Sequence, residues 1–184
     1  MRVISGSARG RKLIAPTGFD TRPTTDRVKE SIFNLLMPYL PADRVLDLFS
    51  GSGALGIEAL SRGSAHCTFI ENCQAAGKVI LQNIDLARVK DRSETLFCEA
   101  LSFLNRTSTR FDIIFLDPPY NTGLLTAAIE KIYKNNILSD NGIIVAESEY
   151  KGEEPTSEFF DIIKNAKYGK TTVFLLHKKT LKGE

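Results

Sequence analysis

The chain has 184 residues, 42% of them hydrophobic and 25% charged, a length that holds one domain and a composition that excludes disordered, collagen-like and low-complexity architectures. No apolar run approaches the roughly 18–20 residues that cross a bilayer, and Met1 to Lys12 lacks the apolar stretch of a signal peptide, so a soluble, cytoplasmic protein is expected. Three cysteines without CxxC spacing and two histidines exclude a disulfide framework, a metal site and chemistry built on a His cluster.

The net charge of +2 is unevenly spread. Residues 1 to 30 carry seven Lys/Arg against three acids, residues 164 to 184 carry six against one, and the stretch between is acidic. Basic ends suit a polyanionic partner, because Lys and Arg contacts to phosphates supply affinity without reading sequence.

In chain order, residues 2 to 14 hold two short β-prone pieces around Ser5-Gly6-Ser7 and Gly10, which predict a basic N-terminal hairpin. Thr24 to Met37 reads as an amphipathic helix, with Val28, Ile32, Leu35 and Leu36 on the apolar face and Arg27, Lys29 and Glu30 elsewhere. Val45 to Phe49 is a buried strand that enters a glycine turn and a helix over Ala54 to Ser61. Cys67 to Glu71 is the next strand, followed by a helix from Cys73 to Leu86 and a weaker strand at Thr95 to Phe97. Phe111 to Leu116 is the continuous apolar run of a central parallel strand, stopped by Asp117-Pro118-Pro119, which cannot continue a ladder. A helix at Leu124 to Tyr133, a strand at Ile143 to Glu147, a segment near Phe159 to Lys164 and a last strand at Thr172 to His177 complete the set. This alternation predicts an α/β sheet in one domain spanning 1–184, in which 1–40 form a hairpin and helix extension and 41–184 a Rossmann-like core.

Two motifs carry chemistry. The first, Asp47-Leu48-Phe49-Ser50-Gly51-Ser52-Gly53-Ala54-Leu55-Gly56, runs from strand through glycine turn into helix, where open α/β sheets bind nucleotide-like ligands. Glu71, 20 residues after Gly51, is placed to hold a ribose diol. NAD and S-adenosylmethionine both fit this pattern. The second, Asp117-Pro118-Pro119-Tyr120, decides between them. An exocyclic amine on a nucleobase is a poor nucleophile, because its lone pair is delocalised into the ring. The Asp117 carboxylate and the Pro118 carbonyl can each accept one N–H and hold the nitrogen toward an incoming methyl group. The two prolines stiffen the turn, and Tyr120 offers a face on which a base taken out of its stack can lie.

With these motifs in view, the chain resembles the RsmD family of bacterial 16S rRNA guanine-N2 methyltransferases. The resemblance covers nearly the whole chain: Arg2-Val3-Ile4-Ser5-Gly6 and Arg9-Gly10-Arg11-Lys12-Leu13, Arg22-Pro23-Thr24 through Arg27-Val28-Lys29-Glu30 and Phe33-Asn34, then the glycine motif and DPPY. It implies a class I S-adenosylmethionine-dependent methyltransferase fold, a mostly parallel seven-stranded sheet with helices on both faces. It further implies methyl transfer from S-adenosyl-L-methionine, leaving S-adenosyl-L-homocysteine, to N2 of the guanine at position 966 of 16S rRNA in the small subunit or an assembly intermediate. By the same resemblance Gly51 and Gly53 lie under the methionine moiety, Asp47 orders the loop, Glu71 binds the ribose hydroxyls, and Glu99 and the Ala100 N–H face the adenine. The family pattern there is Gly-Asp-Ala, whereas this chain has Cys98-Glu99-Ala100. Asp117, also beside the cofactor, takes the guanine amine with Pro118 and Tyr120. Arg22 and Thr24 line the cleft, and Arg9, Arg11, Lys12 and Arg27 meet RNA. No stretch resembles a dimerisation heptad, and a monomer is expected.

Other readings remain at this point. The same tetrapeptide can hold the N6 amine of adenine, but a chain this short leaves no domain for reading DNA sequence. Asp117 weighs against a protein-glutamine methyltransferase, whose motif has Asn in that place. A dinucleotide-dependent oxidoreductase would use the same glycine turn, and a non-catalytic RNA-binding module would leave the acceptor set idle. Cytosine-C5 methylation needs a cysteine nucleophile that none of the three cysteines is placed to supply.

Overall fold

The computed structural model describes residues 1–15, 26–149, 151–152, 154–155 and 157–179. Its elements are α1 (Asp26–Leu35), β1 (Arg44–Asp47), α2 (Ala54–Ser61), β2 (His66–Glu71), α3 (Gln74–Ala87), β3 (Ser93–Phe97), α4 (Ala100–Arg106), β4 (Phe111–Leu116), α5 (Leu124–Lys134), β5 (Leu138–Glu149), β6 (Phe160–Tyr168) and β7 (Thr171–Lys178).

The seven strands form one sheet in the order β3-β2-β1-β4-β5-β7-β6. The first five are parallel, and β7 runs antiparallel to both of its neighbours. Chain order reverses at β1, which has β2 on one side and β4 on the other, and the crevice beyond the carboxyl ends of strands at such a reversal is where open α/β sheets take ligands.

The central strands are apolar on both faces because helices cover both. Val45, Phe69, Phe115 and Val145 join α1, α2 and α3 in one core, while Leu46, Ile114, Leu116 and Ile144 join α4 and α5 in the other. The short helix α4 has no counterpart among the elements expected from the sequence. Its seven residues include only three buried ones, Ala100, Phe103 and Leu104, too few turns to print a helical period. The segment near Phe159 to Lys164 is the start of β6, an edge strand whose largely exposed residues leave no alternating signature.

The N-terminal segment folds back on itself through the Arg2–Lys12 bridge and the Val3 N–H bond to Arg11 O, as a hairpin should. It lies against α2, whose eight residues are all buried, so this helix is sandwiched between sheet and hairpin. Gly6 makes this packing possible: at φ +82° it passes so close to Ser61 that an added Cβ would sit 1.8 Å from the Ser61 carbonyl oxygen.

Lys29 corrects the sequence expectation. It is fully buried, and its Nζ lies 3.2 Å from the equally buried Glu58 of α2. Glu58 also accepts from the Ile4 and Ser5 N–H groups and from Arg62 Nε, while Arg62 sits over the Phe33 ring. Burial lowers the Lys29 pKa, and the Glu58 carboxylate opposes that shift. A charged residue on the inner face of a helix breaks the hydrophobic pattern, yet here it fastens hairpin, α1 and α2 together through one carboxylate.

Candidate active site

The glycine motif leaves β1 at Asp47 and makes a turn with two residues in the left-handed region that favours glycine, φ +54° at Gly51 and +75° at Gly53. Hydrogen bonds fix the turn at every side. Asp47 Oδ2 accepts from the Gly56 N–H at 3.0 Å, Ser50 Oγ donates to Asp47 O at 2.6 Å, and the Ser50 N–H donates to Ile70 O at 3.1 Å. Glu71, at the end of β2, takes one N–H on each oxygen: Gly51 on Oε2 and Cys73 on Oε1, both at 2.9 Å. Gly56 completes the motif from below, because a Cβ there would lie 2.4 Å from the Phe69 ring.

This half of the crevice fits S-adenosylmethionine. A Cβ at Gly51 would meet nothing within 4 Å, so the backbone there faces open space. Each Glu71 oxygen still has a lone pair for a hydroxyl after its amide bond.

The second half of the crevice begins where β4 ends. Asp117 is half-buried, Pro118 buried, and Tyr120 41% exposed with its hydroxyl 3.4 Å from Thr171 Oγ1. Thr122 Oγ1 donates to Pro119 O at 2.7 Å and tightens the turn. Three acids gather at this edge of the sheet: Asp47, Asp117 and Glu147. Desolvation raises Asp47 to about 7, offset by the Gly56 N–H and reinforced by the Asp117 and Glu71 charges. Asp117 is raised to about 6 by desolvation, and Glu147 well above the carboxylate range by desolvation and then by Asp117 and Asp47. Tyr120 is pushed up to about 12, chiefly by burial.

The sequence profile of a family described as "Conserved hypothetical protein 95" matches residues 1–177. The Ribosomal RNA small subunit methyltransferase D of Escherichia coli (strain K12) is 37% identical over 184 residues, covering 100% of this chain and 92% of that protein. The chain belongs to the RsmD family. The YlbH protein of Bacillus subtilis (strain 168) is 42% identical, covering 97% of this chain and 100% of its own length. A solved structure of the Escherichia coli yhhF protein superposes with a TM-score of 0.86 at 38% identity, covering 97% of this chain and 98% of that one. The fold is that of the class I S-adenosylmethionine-dependent methyltransferases.

Of the residues the RsmD resemblance assigns, the structure brings Asp47, Gly51, Gly53, Glu71, Asp117, Pro118 and Tyr120 to the carboxyl ends of β1, β2 and β4. Glu99 and Ala100 stand at the start of α4, where Glu99 is exposed and accepts from Ser102 Oγ at 2.6 Å. Arg22 and Thr24 lie outside the described residues. Arg9 and Arg27 line a cavity of about 450 Å³ with Arg2, Asp26 and Glu30, and Lys12 is exposed on the same hairpin. Arg11 donates from Nη1 to Leu86 O at the end of α3, so its guanidinium is partly committed to the fold.

Two residues that matter here lie outside both motifs. Buried Asn83 donates to Ile14 O and Ser52 O and accepts from the Ile14 N–H, tying the N-terminal segment to the glycine turn. Glu147 is the other, and a signal for it exists: the buried apolar runs of β2, β4 and β5 each end on an acid, at Glu71, Asp117 and Glu147.

Proposed function

We propose that this protein transfers a methyl group from S-adenosyl-L-methionine to the exocyclic N2 of a guanine in the RNA of the small ribosomal subunit. The observation that carries the reading is the Asp117-Pro118-Pro119-Tyr120 turn leaving the central strand beside a glycine turn braced by Asp47 and Glu71, in a member of the RsmD family. When bound, the cofactor supplies a methyl group on a positively charged sulfur, already activated for displacement. Gly51, Gly53 and Glu71 would hold its amino-acid and ribose portions, and Glu99 and Ala100 its adenine.

The protein's own part is to place the amine. Asp117 Oδ and the Pro118 carbonyl each accept one N–H of the amine, which turns the nitrogen lone pair toward the cofactor side of the crevice. Tyr120 holds the plane of the base. Positioning is the main contribution, since a misplacement of about 1 Å costs on the order of a hundredfold in rate. Asp117, raised to about 6, is ionised at neutral pH and basic enough to take the proton that the methylated nitrogen sheds. Arg9, Arg11, Lys12 and Arg27 would meet RNA phosphates, and Arg22 and Thr24 the cleft between the two ligands. A cytoplasmic setting and a monomer working on rRNA or an assembly intermediate go with this reading.

The test is transfer of radiolabelled methyl from S-adenosylmethionine to hypomethylated small subunits, with the labelled nucleoside identified. N2-methylguanosine is expected. N6-methyladenosine would keep the amine chemistry but overturn guanine as substrate, and absence of label would overturn the reading.

A further inference from the structure

One buried acid at the crevice has no part in this mechanism. Glu147 is 3% exposed, and its Oε1 has no hydrogen-bond partner among the described residues. Buried polar atoms are nearly always paired, so an orphaned carboxyl oxygen calls for a reason.

Its place in the sheet supplies one. Phe115 pairs with Val145 and Leu116 with Ala146 across the parallel β4–β5 ladder, so one step further Asp117 and Glu147 stand side by side. Val45, Phe115 and Val145 belong to one core, and with the two-residue period of a strand Asp47, Asp117 and Glu147 come out on that same face. Asp117 acts electrostatically on Glu147, and both carboxyl groups act on Tyr120, Asp117 the more strongly. Glu147 therefore belongs to the same end of the sheet as the group that takes the amine and the ring that carries the base.

A guanine held there by its N2 amine presents the neighbouring ring N1–H to the next acceptor along. Adenine would present a bare N1 and leave that acceptor unpaired. Burial beside Asp117 and Asp47 pushes the Glu147 carboxyl up and so favours its neutral form, and a neutral carboxyl still has a carbonyl oxygen that accepts. It can take an N–H without setting a second negative charge against Asp117.

We propose that Glu147 is a base-recognition residue whose Oε1 accepts the ring N1–H of the guanine that Asp117 and Pro118 hold by its amine. This rests on the guanine-N2 reading above. A hydrogen bond made both before and during methyl transfer alters KM and leaves kcat nearly unchanged.

The experiment compares wild type, Glu147→Ala and Glu147→Gln on hypomethylated small subunits, measuring KM for the subunit, kcat, the labelled nucleoside and the melting temperature. Glu147→Ala should raise KM about tenfold or more, as expected for a base N–H left unpaired in a buried site, and should melt no lower than wild type, because the fold no longer buries an orphaned carboxyl. Glu147→Gln should recover most of the KM, since its amide oxygen accepts the same N–H. An unchanged KM in Glu147→Ala, with wild type making N2-methylguanosine, overturns the proposal, as does a melting point several degrees lower, which would make Glu147 a structural acid. A wild-type product other than N2-methylguanosine overturns the guanine reading itself and this inference with it.

Discussion

The two halves of the crevice are built on opposite principles. Around β1 and β2 the polar groups are satisfied by the protein's own backbone: Asp47 by Gly56, Glu71 by Gly51 and Cys73, Ser50 by Asp47 and Ile70. At the ends of β4 and β5 stand Asp117, raised by desolvation, and Glu147, with an oxygen unpaired among the described residues. The first half is a preformed cradle whose geometry is fixed before any ligand arrives. The second stores unmet hydrogen-bonding capacity, so a base that meets it gains interactions the free protein lacks. Substitutions in the two halves should therefore fail in different ways.

The largest effect is expected in the second half. Asp117→Ala removes the ionised acceptor on the reacting amine and should lower kcat by on the order of 10³-fold, the size seen when one preorganised electrostatic partner of a reacting group is removed. S-adenosylmethionine binding by calorimetry should stay within a few-fold of wild type. A variant that keeps its turnover would remove Asp117 from the reaction.

In the first half the pattern inverts. Glu71→Gln replaces a carboxylate that fixes the loop and faces the ribose, and charged hydrogen bonds of this kind are worth about 1.5–3 kcal/mol each. Cofactor affinity should fall roughly tenfold to a hundredfold, while kcat at saturating cofactor changes little. If kcat collapses and the affinity holds, the division of labour between the halves is wrong.

The first half was legible in the sequence because its parts are local: a strand, a glycine turn, a helix and an acid 20 residues on. The fold was legible for a similar reason, as buried parallel strands print continuous apolar runs. What stayed hidden is what depends on long-range pairing. Glu147 reaches Asp117 only through the β4–β5 register, and Lys29 looks like a solvated charge until α1 is laid on α2. The edge strand β6 and the seven-residue α4 carry too little periodicity to be seen one residue at a time.

A third site sharpens the comparison without touching either half. Arg9, Arg11 and Lys12 lie on the hairpin, which is fastened to α2 and, through Asn83 and Ile14, to the glycine turn, a tie in which none of the three takes part. Replacing all three by Ala should weaken RNA binding and reduce the slope of log affinity against log salt by roughly 0.7–0.9 for each phosphate no longer neutralised. Cofactor affinity should not move. Since Arg11 already donates to Leu86 O, the change in slope should correspond to two phosphates rather than three. An unchanged slope would put the RNA on another face.

The smallest effect, on stability, tests the stored capacity of the second half directly. Burial raises Asp47 to about 7, Asp117 to about 6 and Glu147 upward, so the folded protein holds protons that the unfolded chain has already released. Between the ordinary carboxylate range and pH 7 the folded state binds more protons, and stability falls as pH rises through that window. The melting temperature should therefore climb by a few degrees as pH drops from about 7.5 to about 5.5, at roughly 2–4 °C per kcal/mol for a chain of this size. Glu147→Gln should flatten part of that climb. Activity runs the other way, since kcat/KM should decline below about pH 6 as Asp117 takes up a proton. A melting temperature that falls on acidification would mean that these acids are paired in the folded state, and that the base finds no unmet acceptor waiting for it.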